Sequence, residues 1–118
     1  MARNNWIVAT FSVEGIHCYP NAKIDPALKE VSFLGNPHRH LFYFKVYIAV
    51  SHLDRQIEFI LLKRELQNLY GSQLNANNKS CEMLANELMD YLNINYPDRP
   101  ARVYVFEDNE NGTLCESL

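Results

Sequence analysis

The chain has 118 residues, 47% hydrophobic and 21% charged, with a formal net charge of -3. That length makes one domain with a single core, and the negative charge excludes bulk electrostatic attraction to nucleic acid. No apolar run approaches the roughly 20 residues of a membrane span, so no membrane partner is expected.

The opening MARNNWIVATF lacks an apolar h-region and a small-residue cleavage site. Cys18, Cys81 and Cys115 are too few, and odd in number, for a disulfide framework. A reducing, cytoplasmic location is the expectation. Residues 5–18, NWIVATFSVEGIHC, are rich in β-branched and aromatic residues and predict a strand. Residues 19–37 carry three prolines and a glycine and predict a long connection. Residues 38–50, HRHLFYFKVYIAV, predict a second strand. Phe42, Phe44, Val46, Ile48 and Val50 would share one face of it.

Residues 55–69, RQIEFILLKRELQNL, carry two apolar stripes at helical spacing, one through Ile57, Ile60 and Leu61, the other through Phe59, Leu62, Leu66 and Leu69. They predict a broadly buried helix that Gly71 ends. Residues 80–93, SCEMLANELMDYLN, predict a second helix. Ser80 is its N-cap and Glu82 sits in the first turn, where the helix dipole favours a carboxylate. YPDRP breaks that helix, ARVYVFE at 101–107 predicts a strand, DNENG a turn, and TLCESL a short final strand. The expected class is α+β, an antiparallel four-stranded sheet with two helices packed on one face.

His38 and His40 stand one residue apart at the mouth of a strand, so both side chains point the same way. His17 ends the first strand, and a hairpin-like pairing would bring it beside them. Three imidazoles with one position left open is the arrangement of a catalytic zinc, and an all-nitrogen set also suits nickel, copper or iron. The alternative from spacing alone is two solvated loop histidines and one satisfied core histidine. His52 lies past the far end of the second strand, well away from His40.

FSVEGIH at 11–17, HRH at 38–40, RQIEFILLKREL, SCEMLANEL and VYVFED together resemble, in order and spacing, the 6-pyruvoyl tetrahydropterin synthase and 6-carboxytetrahydropterin synthase family. HRH stands where that family has His-Gly-His, and Glu58 takes the acidic place in its first helix. The resemblance implies a tunnelling fold, ββααββ, whose units close into an oligomeric β-barrel, a hexamer or another even-numbered ring. It implies zinc on His17, His38 and His40, and a pterin-binding pocket bordered by Ser80 and Glu107. It implies a carbon-oxygen lyase type of chemistry on a reduced pterin triphosphate or related purine-like ligand, in tetrahydropterin or 7-deazaguanine (queuosine-type) synthesis. A carboxylate such as Glu107 accepts two parallel N–H bonds from the ring edge.

The chain departs from the pattern at the proton-handling groups. Leu34 stands where the family has its catalytic cysteine. Tyr70 and Gly71 stand where it has an aspartate–histidine pair. Cys81, in the first turn of a helix where the dipole favours thiolate, is the replacement candidate for catalysis. His52 with Asp54 is a second candidate for a displaced proton relay. Cys18 faces away from the His17 side in a regular strand, and Arg39 likewise points opposite to the two histidines, free for a phosphate or a carboxylate. Three functions follow: a zinc-dependent enzyme, a degenerate zinc- and pterin/guanine-binding module without turnover, or a structural oligomer whose zinc only ties two strands together.

Overall fold

The structure, a computed structural model, describes residues 2–118. Five strands form one mixed sheet: β1 (Asn5–His17), β2 (His38–Val50), β3 (Gln73–Asn77), β4 (Ala101–Glu107) and β5 (Asn111–Ser117). Their order is β3-β1-β2-β4-β5. The pairs β1–β2, β2–β4 and β4–β5 are antiparallel, whereas β3 runs parallel to β1. Two helices complete the chain, α1 (Phe59–Tyr70) and α2 (Cys81–Asn95).

The α+β class holds, but the antiparallel four-stranded sheet is corrected to five strands of mixed direction. The extra strand is β3, whose QLNAN sequence offers only Leu74 and Ala76 to the core. Within one chain the sheet is open, with β3 and β5 at its edges.

One face of the sheet is buried and the other is not. Phe42, Phe44, Val46 and Ile48 of β2 align across the strands with Val13, Phe11, Ala9 and Ile7 of β1. Val105, Val103 and Ala101 of β4 continue the layer, as the period of two requires. Both helices cover this face, α1 over β1 and β3, α2 over β4 and β5. At its centre Phe44 stacks on Phe11 at 4.8 Å and on Tyr70 at 4.9 Å between ring centroids. Burial raises the Tyr70 phenol pKa, so this residue is a core aromatic. The opposite face carries Trp6, Tyr43, Tyr47, Tyr104 and Phe106, none of them fully buried.

Residues 19–37 wind through two 3-10 stretches, Pro20–Lys23 and Pro26–Gly35, each opened by a proline whose missing N–H costs nothing there. Helix α1 begins at Phe59, later than the apolar pattern suggests, because the Glu58 carboxylate caps it by accepting from the Ile60 amide at 2.8 Å. Only Leu62 and Leu66 of α1 are buried, and Phe59, Ile60 and Leu61 are more than half exposed. The expected broad burial is therefore overturned: α1 lies toward the β3 edge, and its contacts with the sheet are mainly with β1 and β3. Helix α2 starts where expected, the Ser80 hydroxyl accepting from the Met83 amide at 3.2 Å. It buries Cys81, Leu84, Ala85, Leu88, Met89 and Leu92. Tyr91 and Tyr96 donate their hydroxyls to the two oxygens of Glu65, at 2.5 and 2.7 Å, tying α2 and its C-terminal cap to α1. Among the described residues no helix is long and apolar enough to cross a membrane.

Candidate metal centre

The pairing of β1 with β2 sets His17 directly opposite His38, and Gly15 opposite His40. All three imidazoles stand on the helix-covered face, at the end of the core layer. Gly15 makes room for the Phe42 ring beside them, since a Cβ there would press on that ring at 3.0 Å and on Leu74 at 3.1 Å. The rings meet edge to face, with centroids 4.6 Å (His17–His38), 4.9 Å (His38–His40) and 5.2 Å (His17–His40) apart. Phe42 lies beneath His17 and His40 as an apolar floor.

Each imidazole is oriented by a partner on Nδ1. His17 Nδ1 donates to the Lys79 carbonyl at 2.8 Å, His38 Nδ1 to the Asn36 carbonyl at 2.8 Å, and His40 Nδ1 to the Asp108 carboxylate at 2.6 Å. These partners can only accept, so Nδ1 carries a proton in each ring and Nε2 is the nitrogen left for another partner. Such outer partners are what orient metal-ligating histidines. One ligand atom from each ring lies within 4.8 Å of the other two, so the group could hold a metal ion. The Nε2 atoms of His17 and His40 are buried and have no hydrogen-bond partner. A buried nitrogen without a partner is costly unless something fills the place it faces.

The orienting groups were not legible as site residues. The Lys79 carbonyl reaches His17 because β3 pairs with the end of β1, joining Asn77 to His17, and the chain then turns into α2. Asp108 is fixed by its backbone: it follows β4 with a positive φ of 52°. Its second oxygen accepts from the Leu41 amide at 2.9 Å. The Leu41 amide, then His40, hold the Asp108 carboxyl below the usual carboxylate range. The only sequence signal for it is an acidic pair closing an apolar strand. Replacing Asp108 with alanine is expected to weaken metal affinity about 10–100-fold, the usual cost of losing an outer partner. Competition with a chromophoric chelator measures this, and unchanged affinity would remove Asp108 from the centre.

Glu107 is drawn into the same cluster. Its Oε1 lies 3.3 Å from His17 Nε2 and its Oε2 3.2 Å from His40 Nε2. Cys81 Sγ donates to Oε1 at 3.7 Å. Burial, then the Glu107 carboxylate, push the Cys81 thiol up to about 12. The expected thiolate at this helix N-terminus is thus opposed by stronger effects, and at neutral pH the group is a thiol.

A cavity of about 550 Å³ opens beside the histidines, bordered by His17, His38, Glu107, Ser80, Cys81 and Leu34 among others. Its size suits a small-molecule ligand. The Ser80 hydroxyl borders it while capping α2. Leu34 supplies an inert side chain to its wall. Cys18 also borders it, its thiol donating to the Asn78 side chain at 3.0 Å. The remaining candidates lie elsewhere. Arg39 points to the open sheet face, as expected, and pairs there with Glu14. His52 accepts from the Asp54 amide at 3.2 Å, and the Asp54 carboxylate pairs with Arg55, so no relay joins them. Gly71 has no side chain to offer, and Tyr70 packs against the core. No family model matches the chain, and no curated protein matches it in sequence.

Proposed function

We propose that the chain is a metal-dependent small-molecule protein of the pterin-synthase kind, with zinc on His17, His38 and His40. Its ligand is a reduced pterin triphosphate or a related purine-like ring, taken into the cavity beside Glu107. One observation carries this reading: three Nδ1 partners orient three imidazoles toward one another, and two of these, His17 and His38, border a cavity that also holds the Glu107 carboxylate. A bound metal supplies Lewis acidity toward an oxygen of the ligand. The chain's own residues do the rest: Glu107 accepts paired N–H bonds from the ring edge, Ser80 fixes the wall, and Phe42 keeps the floor dry.

A second reading is favoured by Leu34 and Tyr70: a binding module that keeps the metal and the ring-gripping glutamate but no longer turns ligand over. Both readings place the chain in an oligomer of the tunnelling-fold type, an even-numbered ring closed through sheets. The aromatic open face and the two free sheet edges support that assembly.

Metal analysis and ligand-induced thermal shift on one purified sample test the proposal. The ligands are 7,8-dihydroneopterin triphosphate, GTP, neopterin and guanine, with the mixtures then analysed for product. Near one zinc per chain, a shift and a new product are the expected results for the enzyme. Zinc and a shift without product select the binding module. A chain that takes up no zinc and shifts with no ligand sinks both.

A further inference from the structure

Glu107 has one carboxylate and two demands on it. Its two oxygens each face a different buried Nε2, at 3.3 and 3.2 Å. Those separations fall within ion-pair range, yet neither nitrogen has a hydrogen-bond partner. A hydrogen bond would set an N–H along each N···O line, and neither contact has that geometry. The two carboxylate oxygens instead stand opposite two nitrogens of the three-histidine group. Two ligands on one ion with bonds of about 2.0–2.2 Å, held in tetrahedral geometry, stand roughly 3.3 Å apart. The two observed spacings, one from each carboxylate oxygen, are of that length. His17 is only 7% exposed, and its inward nitrogen has no hydrogen-bond partner within the chain.

We infer that Glu107 is itself the fourth metal ligand of the ligand-free protein, so that metal closure and ring binding compete for one carboxylate. The inference rests on the metal reading above and adds a regulatory property to that site. With Glu107 on the metal the centre has four protein donors and no open position, the arrangement of a closed site. A ring that draws Glu107 away opens that position at the moment the ligand arrives. Cys81 sets the resting place of the carboxylate through its thiol contact to Oε1.

Titration with Co²⁺, followed by visible absorption, tests this on the wild-type chain, Glu107→Gln and Glu107→Ala. Circular dichroism of the metal-free proteins checks that each variant folds. The wild type is expected to show the intense bands of four-coordinate cobalt. Glu107→Ala is expected to lose that intensity several-fold and to bind Co²⁺ about 10–100-fold more weakly by chelator competition. Glu107→Gln keeps the shape with a poorer donor and should also lose intensity. Added neopterin should dim the wild-type bands and leave those of Glu107→Ala unmoved. Wild-type uptake with unchanged spectrum and affinity in both variants overturns this inference and leaves the metal reading standing. A wild type that takes up no cobalt or zinc overturns both.

Discussion

Replacing His38 with alanine is expected to strip the chain of bound metal while leaving it folded. The side chain is half-buried, hydrogen-bonded to the Asn36 carbonyl and packed on the rings of His17 and His40. Loss of an outer partner costs about 10–100-fold in metal affinity, and loss of a donor is expected to cost at least about 100-fold. The consequence for stability follows from mass action. A wild type held at 100 times its dissociation constant gains about 2.7 kcal/mol from the ion, and a variant bound 100-fold more weakly gains about 0.4 kcal/mol. Metal content after dialysis, and melting with and without added zinc, read the two effects separately. If His38→Ala retains stoichiometric metal and the full zinc-dependent rise in melting temperature, the three-histidine centre is refuted.

Phe44→Ala is the second large effect, and it acts on folding. Phe44 is 1% exposed and stacks on both Phe11 and Tyr70, which also meet each other at 6.0 Å. Truncating such a residue costs about 3–5 kcal/mol in lost transfer energy and residual cavity. Typical domains are stable by only about 5–15 kcal/mol. Urea unfolding is the measurement, with Phe59→Ala as the control. Phe59 is 56% exposed, and its loss should change stability by about 0.5 kcal/mol or less. The urea midpoint of Phe44→Ala should fall by more than 1 M at ordinary slopes of about 1–3 kcal/mol per molar. Equal midpoints for the two variants would contradict the central position of Phe44.

Most of the sheet is legible in the sequence because burial on one face writes itself as alternation. Phe42, Phe44, Val46 and Ile48 announce β2, and Val103 and Val105 announce β4. The meeting of His17 with His38 follows from the same rule, since strands joined in register bring their ends together. Helix α2 is legible from Ser80, whose hydroxyl does what an N-cap does. β3 is not legible, because an edge strand of five residues with three polar side chains reads as a loop. The exposed stripe of α1 is hidden for the opposite reason. Its apolar residues have the right spacing for burial, and only the position of the helix toward one edge of the sheet leaves them bare. The orienting groups of the metal centre escape notice because two are backbone carbonyls, which carry no residue-type signal. The third, Asp108, owes its role to a left-handed turn shared with Asn109.

The full-length pairing of β1 with β2 also bears on the order in which the molecule is assembled during synthesis. It runs from Asn5 opposite Val50 to His17 opposite His38 and carries all three imidazoles. Their orienting carbonyl at Lys79, Asp108 and the facing Glu107 arrive only with later chain. β3 must close in parallel across everything between, a slow kind of contact. The hairpin is therefore the first object able to hold an ion, and the groups that tune the grip are added afterwards. In a chain growing from its N-terminus, the three imidazoles can meet as soon as β1 and β2 pair.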